Sequence, residues 1–168
     1  MKNLNVKGEM PKADEGFYKD DKEYGIFLKY DAKENLVGSY TYQAGVLQGA
    51  FEEYFPGTTI VSRKGYYRNG LLDGTVYDFH KNGQVACESQ YLFGQLNGCQ
   101  REFSEEGKIL RIAHFKADKL NGTYEKFTNG CLSWAGVYRN GNIVIVVRDR
   151  VYLAAFCAGL ERRSFAYQ

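Results

Sequence analysis

Proline is nearly missing from this sequence, with two in 168 residues, and histidine is equally scarce. With only His80 and His114 available, and no CxxC among Cys87, Cys99, Cys131 and Cys157, the usual ligand spacings of a zinc site are lacking. Cys99 and Cys131 fall at different phases of the repeat described below, so reduced thiols are expected rather than a disulfide ladder. Charge of one sign is lacking too. Lys and Arg total 22 against 20 Asp and Glu, a net +2, and they are scattered, with no basic run to track a nucleic-acid backbone. The longest apolar run, VYLAAFCAGL at 151–160, is far short of the roughly 20 residues that span a bilayer. The opening MKNLNVKGEM has no apolar signal-peptide core, so the expected location is the cytoplasm. No Ser or Cys is set in a motif with His and a carboxylate. His80 follows an aromatic at a turn, where a solvated loop residue is expected, and His114 lies in a strand as a half-buried packing residue. Neither a catalytic residue nor a cofactor or metal site is expected, and nucleic acid is not an expected partner.

What the chain does have is a period. YRNGLLDG at 67–74 returns as YQAGVLQG at 42–49, YLFGQLNG at 91–98 and FKADKLNG at 115–122. YKDDKEYG at 18–25 is a damaged copy, and YRNG at 138–141 begins another. The closing glycines Gly25, Gly49, Gly74, Gly98 and Gly122 are 24, 25, 24 and 24 residues apart, the mark of a repeat architecture.

Aligned copies assign the positions. Five residues after each closing glycine stands an aromatic: Tyr30, Tyr54, Phe79, Phe103, Phe127. A turn follows at Gly57, Gly83, Gly107 and Gly130, with Asn35 standing in for the first, because Gly and Asn reach positive φ cheaply. An aliphatic column comes next (Leu36, Val61, Val85, Ile109, Leu132). Each unit then closes on Tyr42, Tyr67, Tyr91, Phe115 or Tyr138. Two positions before these the residues are small (Gly65, Ser89, Ala113, Gly136), with Tyr40 the exception. The alternation predicts one β-hairpin per unit, with a strand from the closing glycine to the aromatic and another from the turn glycine to the next aromatic. One hairpin cannot bury its apolar face, so successive hairpins must share a continuous stripe. The fold expected is all-β, an elongated twisted antiparallel sheet of about five stacked hairpins. Residues 1–17 are expected as a capping strand and connector, 18–141 as the array, and 142–168 as a terminal cap of one strand and a short helix.

The phrase Y-x-x-G-x-L-x-G-x-x-x-x-[YF], carried by YRNGLLDGTVYDF, YLFGQLNGCQREF and FKADKLNGTYEKF, resembles the MORN repeat in its longer bacterial variant. The resemblance covers 18 to about 145. Glu23 departs from the leucine position, which marks the first unit as an end cap, and Asp118 replaces the first glycine of the fourth. The resemblance implies a non-catalytic scaffold for protein partners, in bacteria often an antitoxin or immunity protein that occludes a toxin. In some members it implies attachment to phospholipid, which is the alternative here.

Partner-binding candidates follow from position. Four residues after each closing glycine stand Lys29, Glu53, Asp78, Glu102 and Lys126. Stacking would place Glu53, Asp78 and Glu102 together as an acidic stripe suited to a basic partner such as a toxin. That stripe argues against a membrane surface, which needs clustered cations and exposed aromatics. A neighbouring column holds Tyr77, Arg101 and Glu125, and another holds Arg63, Arg111 and Trp134. Aromatic and Arg side chains are favoured interface anchors, so Tyr77, Arg101 and Trp134 join the candidates.

Overall fold

The computed structural model describes residues 14–147. They form one antiparallel sheet with strands β1 Glu15–Lys19, β2 Lys22–Tyr30, β3 Leu36–Gln43, β4 Val46–Tyr54, β5 Val61–Arg68 and β6 Leu71–Leu72. It continues through β7 Gly74–Phe79, β8 Val85–Leu92, β9 Gln95–Phe103, β10 Ile109–Lys116, β11 Lys119–Thr128, β12 Cys131–Arg139 and β13 Asn142–Val147. Each strand pairs with the next in sequence, apart from two-residue β6, which folds back on β5 while β7 takes its place in the ladder. The sheet is open, with β1 and β13 as its edges, and is not closed into a barrel. The all-β array of hairpins is therefore as the repeat predicts. The predicted strand at 142–147 is β13. Residues 15–17, expected in a connector, belong to β1. The predicted strand at the N-terminus and the helix of the cap lie outside the described residues.

The motif holds a further turn besides those expected at Gly57, Gly83, Gly107 and Gly130. Both central residues of Ala44-Gly45, Asn69-Gly70, Phe93-Gly94, Ala117-Asp118 and Asn140-Gly141 have positive φ, as type I′ hairpins require. These tight turns line one margin of the sheet. The opposite margin carries the longer loops, apart from the tight turn at Asn129-Gly130. At 31–35, 80–84 and 104–108 the first residue's N–H donates to the fifth residue's carbonyl, and the fourth donates back to the first. Glu34, not Asn35, occupies the position of Gly83 and Gly107, with φ of 65°.

The strands also begin earlier than expected, so the closing glycine lies inside or at the start of its strand. Gly49, Gly98 and Gly122 have φ of 131°, 122° and 120° beside a register shift with the preceding strand. A Cβ at Gly49 would sit 2.8 Å from Thr41 Cβ, and one at Gly122 would sit 2.9 Å from His114 Cβ. Neighbouring side chains serve the bulged backbone. Thr41 Oγ1 donates to the Ala50 carbonyl at 2.8 Å, and the Cys99 N–H donates to Gln90 Oε1 at 2.9 Å. The motif glycine is thus a backbone requirement on two counts.

Alternation along the strands sorts the side chains onto two faces. The small residues expected two before each terminal aromatic face the bulky ones two after each closing glycine. Phe51 pairs with Gly65, Val76 with Ser89, Tyr124 with Ala113 and Gly136. This row holds Phe27, Phe51, Val76 and Ala113, the buried apolar core among the described residues. Tyr40 stacks on Phe51 with centroids 6.1 Å apart, which is how the exception to the small-residue rule is accommodated. On the opposite face Tyr54 pairs with Val61, Phe79 with Val85 and Phe103 with Ile109, each across a one-residue register shift. The two apolar columns read from the sequence are therefore cross-strand partners.

Candidate functional site

The register builds one continuous row on the packed face: Lys29, Gly38, Glu53, Arg63, Asp78, Cys87, Glu102, Arg111, Lys126 and Trp134. Glu53, Asp78 and Glu102 are in line, as expected, but they are not neighbours. Arg63 stands between the first two, and Cys87 separates the second from the third. The stripe expected to be acidic is a ladder of four cations and three carboxylates. The cause is the extra residue in each returning strand, which brings Arg63 and Arg111 into register with the acids.

Each carboxylate is engaged. Glu53 Oε1 accepts from the Tyr40 hydroxyl at 2.9 Å. Asp78 Oδ1 lies 3.5 Å from Arg63 Nε, a buried nitrogen in ion-pair range without hydrogen-bond geometry. Arg111 donates to Gln100 Oε1 at 2.6 Å and to Glu102, with its guanidinium 5.7 Å from the centroid of Tyr124. The electrostatics follow from this half-buried setting. Burial pushes the Asp78 carboxyl above its ordinary value against the pull of Arg63, and Glu53 adds to the rise. Burial, then the bond to Glu53, raises the Tyr40 hydroxyl strongly. The bond to Glu102 raises Arg111 further, against burial. Burial also raises the Cys87 thiol, which makes it a poor nucleophile at neutral pH.

Trp134 closes the row in an aromatic cluster, 5.3 Å from Tyr124 and 6.3 Å from Tyr138 between centroids. Tyr77 and Arg101 are elsewhere. They lie on the opposite face in a row running Glu52, Lys64, Tyr77, Glu88, Arg101 and Ile112. There Lys64 sits 5.9 Å from the Tyr77 centroid, and Arg101 Nη1 bonds Glu88 Oε2 at 3.3 Å. The six candidates thus divide between two surfaces.

Both histidines serve the backbone. His80 Nε2 lies 2.9 Å from the Phe103 carbonyl, tying its loop to the next hairpin instead of facing solvent. His114 Nδ1 lies 2.9 Å from Thr123 Oγ1 and 3.2 Å from the Thr123 carbonyl, beside the bulge at Gly122. Cys87 and Cys99 are free thiols, whereas Cys131 is disulfide-bonded, against the expectation of reduced thiols throughout. Among the described residues no group of His, Cys, Asp and Glu could hold a metal ion, and no helix is long and apolar enough to cross a membrane.

A third surface escaped the sequence reading. Along the tight-turn margin Val46, Leu71, Leu92 and Phe93 are 45%, 47%, 43% and 68% exposed. A Cβ at Gly70 would lie 3.7 Å from Val46, and one at Gly94 would lie 3.2 Å from Leu71, so these turns form one ridge. The signal was present in the third position of the motif, where Phe93 stands against Ala44, Asn69, Ala117 and Asn140.

No protein-family model matches this chain, and no curated protein matches it either.

Proposed function

We propose that this chain is a non-catalytic, MORN-like protein-binding module, of the antitoxin or immunity kind that occludes a partner protein. One observation carries the reading. Side chains that vary from repeat to repeat stand in straight rows, while the recurring motif residues are spent on turns, bulges and core. Such a sheet presents a long, preorganised surface, and preorganisation lowers the cost of binding. The packed-face row from Glu53 to Trp134 is the proposed contact. Its alternating charges suit a partner with interleaved acidic and basic groups more than the uniformly basic one expected from the sequence.

The test is affinity capture from the native host, identification of any stoichiometric protein, and titration of that protein in purified form. Two variants separate the faces: Glu53→Gln/Glu102→Gln/Trp134→Ala and Tyr77→Ala/Arg101→Ala. Loss in the first alone supports the packed face, and loss in the second alone moves the contact to the opposite one. A captured toxin whose growth defect is relieved by co-expression supports the immunity reading. The absence of any stoichiometric partner refutes it. Phospholipid attachment is the second reading, favoured only by the apolar ridge with lysines on the turns beside it.

A further inference from the structure

The tight-turn margin breaks local rules in several places at once. Phe93 is a bulky aromatic at φ of 50°, in the left-handed region that strains an L-residue. It is also 68% exposed, so packing within the chain does not offset that strain. The next turn sets Lys116 directly opposite Lys119, and the first sets Lys19 opposite Lys22. Like charges in cross-strand pairs are destabilising. Departures of this kind concentrate at functional sites.

The same margin is held rigidly. Each turn donates to the previous hairpin: Gly70 N–H to the Leu47 carbonyl at 2.8 Å, Gly94 to Leu72 at 2.8 Å, and Asp118 to Leu96 at 3.1 Å. The Asp118 carboxylate accepts from the Leu96 N–H at 2.8 Å, fastening the lysine-bearing turn beside the Phe93 turn. Arg68 is matched by Asp73 at 2.7 Å. Over the six turns and their flanking pairs, Lys19, Lys22, Arg68, Lys116, Lys119 and Arg139 outnumber Asp20, Asp21 and Asp118. Adjacent turns are two strands apart, roughly 10 Å, so the lysines reach the rim of whatever covers Phe93.

We infer that the Val46–Leu71–Leu92–Phe93 ridge is a docking site, independent of the packed-face row, for a protein that offers an apolar pocket rimmed by carboxylates. Phe93 fills the pocket, and Lys116 and Lys119 meet its acidic rim. A single fixed aromatic flanked by matched charges is the anatomy of an interface anchor. A lipid surface gains nothing from holding the ring in a strained turn.

The full chain with benzoylphenylalanine at position 93 is to be photo-crosslinked in the native host, and the crosslinked residue mapped by mass spectrometry. The expected product joins position 93 to a pocket on another protein bordered by Asp or Glu. The purified crosslinked protein is then titrated against wild type, Phe93→Asn and Lys116→Glu/Lys119→Glu. Phe93→Asn weakens binding about tenfold or more, and the lysine variant, which sets carboxylates against the acidic rim, weakens it at low salt and inverts its salt dependence. Asn suits the left-handed turn, so a loss of binding with unchanged or raised thermal stability is not misfolding. Crosslinking only to a second copy, no protein crosslink at all, or unchanged affinity of Phe93→Asn overturns the inference. So does co-sedimentation with vesicles of phosphatidylcholine and phosphatidylserine that Phe93→Asn removes.

Discussion

Arg63 Nε lies 3.5 Å from Asp78 Oδ1 across β5 and β7, and the two residues face each other in register on the packed side of the sheet. Burial raises the Asp78 carboxyl above its unfolded value, so its neutral form is the one the fold prefers. The contribution of such a group is fully present below the unfolded value near 3.8 and is lost as the pH rises through the higher folded value. Wild type should therefore lose stability relative to Asp78→Asn between about pH 3 and pH 7, as urea unfolding at both ends would show. A variant that weakens relative to wild type over that range would mean that the attraction of Arg63 prevails.

The closing glycines are not equivalent. Gly122 has φ of 120° and a Cβ there would meet His114 Cβ at 2.9 Å, whereas Gly74, with φ of 90°, has nothing within 4 Å. Gly122→Ala combines strain with collision and should cost about 2–4 kcal/mol. Gly74→Ala carries the strain alone, about 1–2 kcal/mol. Chemical denaturation of the two variants tests the order, and equal losses would refute the role given to close approach.

Gly65 is needed for space and not for φ. A Cβ there would lie 2.9 Å from both Phe51 Cε1 and Val76 Cγ2, and Phe51 is 1% exposed. Gly65→Ala should destabilise by about 1–3 kcal/mol through overpacking. Phe51→Leu in the same chain should recover part of that loss, so a double-mutant cycle with zero coupling would contradict the contact.

Glu34 carries positive φ at the loop position where Gly83 and Gly107 stand. Glu34→Gly relieves left-handed strain and leaves in place the backbone bond to the Asp31 carbonyl at 3.0 Å. A stability gain of about 0.5–1 kcal/mol is expected, read as a rise in melting temperature. A loss would place the value of Glu34 in its side chain.

The repeat made the rows legible because a constant phase fixes which residues share a column. Phe79 and Val85 could be named as column members from sequence, and they do face one another. Their pairing depends on a register shift after Asp78, and no residue type in ACESQ announces an unpaired Ala86. The matching shift between β4 and β5, which leaves Ser62 unpaired, brings Arg63 opposite Glu53, so the acidic column was visible while its neutralising neighbours were not. The two kinds of turn are not told apart by glycine alone. Gly83 and Gly70 look alike in sequence, but the first is fourth in a five-residue loop and the second closes a type I′ turn. In a chain so rich in aromatic residues Phe93 does not stand out by type, and only its place in the motif sets it apart.

The backbone-to-backbone hydrogen bonds between neighbouring hairpins along the tight-turn margin all point the same way, from Gly45 to Glu23, Gly70 to Leu47, Gly94 to Leu72, Asp118 to Leu96 and Gly141 to Leu120. Every hairpin therefore hands a donor to its predecessor and offers an acceptor to its successor, which gives the array a head and a tail. A gene that duplicated or deleted one whole unit would preserve this handshake at the new junction, with no orphaned amide. A cut out of phase through these turns would break it, whereas the longer loop at 55–60, on the other margin, absorbs the residue that makes one spacing 25.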